Sequence, residues 1–286
     1  MDKRFKQLWT GLLLAGFSVM VVAGDGTSNA MRQAEASMVV AGTLDIEPDG
    51  SVSGYSLEHS NTLPTAITAL ASKALPQWRF DPVLQDGKPV KARAKMSLQF
   101  IGNQLDKTHY AVELRGATFT DSKAAMDEVI SLQQMKTPSY PQDMINADVT
   151  GTVYLALRID RQGHVTDAIA EQVNLGRLSS PAVMNQWRAS FVRSTLQAAK
   201  GWTFNTPTTG PSANETSWTV QVPVAFAFDP PNAREGKWEV YVPGPKQSIP
   251  WSYDHGDQSA PEAVANGQVH QVGTGLHLRA PLPSHG

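Results

Sequence analysis

Alternation of apolar and polar positions dominates the middle of the chain, and the pattern comes twice. Ala92, Ala94, Met96, Leu98 and Phe100 share one face of a first alternating run. Trp218, Val220, Val222, Val224, Phe226 and Phe228 share one face of a second. A period of two predicts half-buried strands. Each run closes a repeated series. Leu44-Asp45-Ile46-Glu47-Pro48-Asp49-Gly50-Ser51-Val52 is matched by Leu157-Arg158-Ile159-Asp160-Arg161-Gln162-Gly163-His164-Val165 at an offset of 113. Both read as a strand entering a glycine turn and leaving as a second strand, a hairpin signal. Trp78-Arg79-Phe80-Asp81-Pro82 is matched by Trp202-Thr203-Phe204-Asn205-Thr206-Pro207 at an offset of 124.

Between hairpin and tryptophan the period changes to that of a helix. Leu63, Ile67, Leu70 and Ala74 form a stripe in the first copy, with Pro64 suited to a first turn. In the second, Ser180 reads as N-cap and Pro181 as the first helical residue, with Val183, Trp187, Phe191, Ser194 and Ala198 as the stripe. The second copy also has a lead-in, Thr137-Pro138-Ser139-Tyr140-Pro141, then a short helical stretch to about Asp148 and a strand over 151–159.

The expected fold class is therefore α+β. Two small units each form an antiparallel sheet of about three strands with helices on one face. The units span 38–101 and 137–228. The linker 102–136 is expected to be structured, with a strand over 110–115 and a helix over 122–134. The tail 229–286 holds 8 of the 19 prolines and few aliphatic runs, so it is expected to be mostly disordered, with Trp238, Tyr241 and Trp251 as docking residues.

Composition narrows the function. A net charge of −2 with a pI near 6.4 argues against nucleic-acid binding. The chain has no cysteine, which removes disulfides, thiolate catalysis and cysteine-based metal sites. His255, His270, His277 and His285 lack metal-ligand spacing, and no nucleophile, zinc or phosphate-loop motif is present. We expect no enzyme activity, cofactor, metal or small-molecule substrate. Lys3, Arg4 and Lys6 precede an apolar run from 8 to 23, which reads as a secretory signal over 1–23, with an uncleaved inner-membrane anchor as the alternative.

The second unit resembles the C-terminal domain of the TonB family. The resemblance rests on Pro138-Ser139-Tyr140-Pro141, Gly151-Thr152-Val153, Asp160-Arg161-Gln162-Gly163-His164-Val165, Trp202-Thr203-Phe204 and Val220-Gln221-Val222-Pro223-Val224-Ala225-Phe226, in that order. The first unit resembles a degenerate member without the Pro-x-Tyr-Pro box. The resemblance implies a periplasmic domain that captures an extended segment of an outer-membrane transporter by strand addition. Family members carry a Ser-x-x-x-His anchor and a Pro-rich rod. Here Ser18 is followed by Val22, and no Pro-rich stretch joins the N-terminal segment to the units, which argues against motor coupling.

Pro223 lies inside a strong strand, and proline, with no N–H for the ladder, marks an edge. Thr219, Gln221, Pro223, Ala225 and Ala227 face outward and carry no charge, whereas Lys91, Arg93 and Lys95 line the outward face of the first unit's last strand. The expected binding edge is thus Thr219, Val220, Gln221, Val222, Pro223 and Val224, with Pro138, Tyr140 and Pro141 beside it. The first unit's edge is expected to be blunted by its cations. Two functions remain. One is transporter binding in TonB-type transport. The other is a soluble periplasmic scaffold or assembly protein without energy transduction, for which a second copy of the chain is a candidate partner.

Overall fold

The two glycine turns set both halves of the molecule. In the computed structural model, which describes residues 34–85, 87–104, 110–122, 124–229, 236–251, 261–265, 268–273 and 276–279, they are built alike. Glu47 N–H donates to the Ser51 carbonyl (2.8 Å) and Gly50 N–H to the Glu47 carbonyl (2.9 Å), as Asp160 N–H donates to the His164 carbonyl and Gly163 N–H to the Asp160 carbonyl, each at 3.0 Å. Gly50 and Gly163 sit at φ of 84° and 82°. Their carbonyls accept the N–H groups of Phe80 and Phe204, each at 2.9 Å. The two turns therefore share this hydrogen-bond pattern.

The elements run in order. β1 (Glu35–Ile46) and β2 (Val52–Leu57) form the first hairpin, followed by α1 (Thr65–Ala74) and a ribbon of β3 (Leu84–Gln85) with β4 (Lys88–Pro89). β5 (Ala92–Gln104) and β6 (Tyr110–Asp121) follow, then β7 (Ser131–Gln134) and α2 (Gln142–Asn146). β8 (Gly151–Asp160) and β9 (Val165–Leu175) form the second hairpin. α3 (Pro181–Ala199), β10 (Thr203–Asn205) and β11 (Ser217–Phe226) complete that half. The tail contributes β12 (Glu239–Tyr241), a 3-10 turn at Pro261–Ala263 and β13 (His270–Gln271).

The architecture is α+β and dominated by antiparallel sheets, but the sheets are wider than the three strands expected. The first holds five, in the order β12-β1-β5-β6 with β2 also on β1. The second holds four, in the order β13-β11-β8-β9. The extra strands come from the linker and the tail. Each sheet buries one face under a helix. Leu44, Ile46, Leu98 and Phe100 meet Ile67 and Ala71 of α1 in one core. Leu155, Leu157, Val220 and Val222 meet Phe191 of α3 in the other. Ser180 caps α3 with Pro181 in its first turn, as expected. The buried positions of α3 are Met184, Phe191, Thr195 and Ala199, so only Phe191 of the expected stripe reaches the core fully; Trp187 is half-buried.

Three sequence expectations are corrected. Residues 122–134 are not helical. Met126 of that apolar pattern is 80% exposed, and Ser131–Gln134 pairs with β10 instead. The cations Lys91, Arg93 and Lys95 do not blunt an edge, because β5 lies between β1 and β6. Lys91 and Arg93 instead pair across the sheet face with Glu47 (2.9 Å) and Asp45 (2.6 Å). The described parts of the tail are ordered. β12 pairs with β1, and the next residue, Val242, exchanges backbone bonds of 2.8 and 3.1 Å with Leu175 of β9, which joins the two sheets. Strands of two or three residues show no alternation, which is why composition suggested disorder. The 1–23 segment lies outside the described residues, as do His255 and His285.

Candidate functional site: the β11 edge

β11 pairs with β8 along its whole length. On its other side it pairs only with β13, through Val220↔Gln271 and Gln221↔His270, and Val272 N–H donates to the Thr219 carbonyl at 2.9 Å. In an antiparallel ladder successive residues turn their backbone groups to opposite neighbours. Thr219 faces β13, so Gln221, Pro223 and Ala225 also face that side. Pro223 is the first of these beyond the β13 pairing. Its missing N–H falls where a ladder bond would otherwise continue. From 222 to 226 no second strand lies against β11 among the described residues. In the sheet order β11 therefore lies between β13 and β8, and only its stretch beyond Gln221 lacks a second strand among the described residues.

The face of that strand differs from the expectation. Gln221 is 4% exposed, and its Nε2 donates to Glu171 Oε2 at 2.9 Å. Lys246 Nζ lies 3.2 Å from the other Glu171 oxygen. Pro223 is also buried, Thr219 and Val224 are half-buried, and Ala225 is exposed. The uncharged positions thus face the protein interior at Gln221 and Pro223, beneath the tail, rather than solvent.

The Pro-x-Tyr-Pro segment lies at the far end of the same strand. Pro138 is buried, and Pro141 occupies the N-cap position of α2. The Tyr140 hydroxyl donates to the Val149 carbonyl at 2.7 Å, and its ring meets Phe226 edge-on at 5.4 Å. On its outer side it stacks with Phe228, which is 51% exposed (centroids 5.2 Å, interplanar angle 13°). Tyr140 therefore anchors the lead-in. Phe228, which the sequence pattern placed in the inward row, is the aromatic surface at this end of the edge. Tyr140→Phe is expected to lower stability by about 1 kcal/mol, the usual loss for one hydrogen bond, measurable by chemical denaturation.

Above the opposite face, the Pro261–Ala263 turn touches β5, β6 and β11, and so sits between the two sheets. Gln172 Nε2 and Asn174 Nδ2 donate to Glu262 Oε1 at 2.9 and 2.8 Å. Burial pushes the Glu262 carboxyl above its ordinary 4.5, over the opposing hydrogen bond from Asn174. A carboxyl with a raised native pKa stabilises fully below its unfolded value, and that contribution is lost as pH rises through the native value. Thermal stability is therefore expected to fall as pH is raised above 4.5, and Glu262→Gln, which keeps the acceptor oxygen, should flatten that dependence in melts across the range. Equal slopes in both proteins would contradict this.

No set of three or more metal-ligating side chains converges among the described residues, and none of their helices is long and apolar enough to cross a membrane. No family model matches the chain, and no solved structure matches it. Among curated proteins it is similar to Protein TonB of Xanthomonas campestris pv. campestris, from strain B100 and from strain ATCC 33913. Each is 30% identical over 110 residues, which is 38% of this chain and 42% of the relative. The chain thus spans less than half the length of the curated relatives it matches.

Proposed function

We propose that the chain is an exported, TonB-family periplasmic protein whose β11 edge receives an extended segment of an outer-membrane transporter, in TonB-type transport. On this reading its two halves are tandem copies of one family unit, the first degenerate, and strand addition supplies the affinity through main-chain bonds. Residues 1–23 act as signal or anchor, and no step is catalytic. The observation that carries the proposal is the half-open edge of β11, bounded by Pro223 and ending at the exposed Phe228. The similarity to Protein TonB supports it more coarsely.

One observation favours a second reading. The tail joins both sheets through β12 and Val242, a build suited to a scaffold that holds other proteins without transducing energy. A photo-reactive residue at exposed Ala225, expressed in the periplasm, separates the two. The proposal expects an adduct whose mass identifies an outer-membrane transporter. Adducts only with a second copy of the chain, or equal yield from Ser53 on the edge strand β2, would overturn it in favour of the scaffold.

A further inference from the structure

The second sheet has another edge, at β9. β8 turns the backbone groups of Leu155 and Leu157 to β11 and those of Ala156 and Arg158 to β9. Ile169 and Asp167 therefore bond to β8, while Ala168 and Ala170 turn their backbone groups away from it. The tail covers one half of this edge. Val242 exchanges its bonds with Leu175, and Gln247 N–H donates to the Glu171 carbonyl at 2.7 Å. α3 supports that half, because Arg188 Nε donates to the Val173 carbonyl and Nη2 to the Pro243 carbonyl, each at 3.1 Å. The edge thus already accepts an extended chain beside a cation of α3. From 165 to 170 no second strand lies against it among the described residues.

Beside that open half runs a groove of about 370 Å³ between β9 and α3. Its floor is apolar, built from the half-buried Val165, Ala168 and Leu196. Arg193, Gln197 and Lys200 form its helix rim at i, i+4 and i+7, and all three are exposed. Among the described residues no carboxylate pairs with either cation. Asp167, on the opposite rim, lies 4.0 Å from Arg158 instead. The chain as a whole carries a charge of −2, so this rim is a local exception. The first half has no equivalent, because α1 has 10 residues against 19 in α3 and carries Lys73 as its cation.

We propose that the open half of β9 and the α3 groove form a second docking site, which takes an extended acidic segment of a partner protein. The segment adds a strand beside Ala168 and Ala170. Its side chains on the helix side read acid, apolar, acid at alternate positions. Arg193 and Lys200 lie about 10 Å apart along the helix. The two acids lie about 13 Å apart along the strand, a difference that the long cationic side chains absorb. The apolar residue between them rests on Val165 and Leu196. β11 lies on the far side of β8, so one chain can hold two partners at once.

The test uses the full chain and a synthetic peptide, acetyl-Thr-Glu-Thr-Val-Thr-Glu-Thr-amide, followed by NMR. Binding should move the Ala168 and Ala170 amide signals and leave that of Ala225 on β11 in place. The same peptide with Gln for both Glu should bind about tenfold more weakly, for the loss of two exposed ion pairs. That preference should shrink at high salt. The double variant Arg193→Glu, Lys200→Glu should transfer the preference to a peptide with Lys for both Glu, and the milder Arg193→Gln, Lys200→Gln should abolish it. Thermal melting checks that both variants stay folded. Equal binding of the Glu and Gln peptides would overturn the proposal. So would no binding, shifts at Ala225 in place of Ala168, or an unchanged preference in the neutral variant. Strand capture at β11 stands or falls separately, on the Ala225 adduct.

Discussion

Gly163→Ala is expected to cost about 3 kcal/mol and to lower the melting temperature by roughly 10 °C. Two causes add. Gly163 sits at φ 82°, where an L-residue carries the left-handed penalty of about 1–2 kcal/mol. A Cβ at this site would also run into the carbonyl oxygen of Phe204, and that peptide is held by the bond from Phe204 N–H to the Gly163 carbonyl. The turn and the Trp-x-Phe strand must separate to admit one methyl group. Gly50→Ala should behave the same way, since its Cβ meets the Phe80 carbonyl. Gly87 is the control. It has φ 74°, but among the described residues no heavy atom would lie within 4 Å of a Cβ there, so Gly87→Ala should cost only the backbone penalty. Equal losses at Gly163 and Gly87 would show that the close approach contributes nothing.

Trp202→Ala should cost about 4–5 kcal/mol, at the upper end for a buried aromatic. Trp202 is 1% exposed and fills the core between α3 and the second sheet, and its Nε1 donates to the Lys136 carbonyl at 2.9 Å. Truncation leaves a cavity and an unsatisfied carbonyl together. Its counterpart Trp78 is 2% exposed, but its Nε1 has no hydrogen-bond partner among the described residues. Trp78→Phe should therefore cost less than Trp202→Phe by about 1 kcal/mol, the value of the missing bond. Urea unfolding of the two phenylalanine variants reads the difference, and a larger loss at Trp78 would contradict the assignment.

These residues were also the most legible in the sequence. A glycine turn and a Trp-x-Phe strand are local chemistry, and both halves spell them in the same order. β6 was legible only to Arg115, for a physical reason. The register with β5 shifts between Gln99 and Phe100, so Arg115 is bulged and the alternation changes phase. Leu114 faces the core before the bulge, and Ala117 and Phe119 face it afterwards. Arg115 turns instead to Glu113 (2.5 Å) and Glu35 (2.7 Å).

At the candidate site, Pro223 marked in the sequence the point beyond which β13 does not pair with β11, because proline chemistry is local. The occupant of that edge was not legible. His270 and Gln271 are brought to β11 by backbone pairing across about 50 residues of chain, with no periodic side-chain signal. The burial of Gln221 was hidden for a similar reason, since it depends on Glu171 and Lys246 from distant segments.

The central claim is strand addition at the half of β11 that no second described strand covers, and the Ala225 amide reports on it most directly. This amide points to the open side and belongs to an exposed residue. With the captured segment added to the full chain, its hydrogen exchange should slow at least tenfold, while the amides of the β2 edge, such as Ser53, stay unchanged. Unchanged exchange at Ala225 in the presence of bound segment would contradict strand addition at β11.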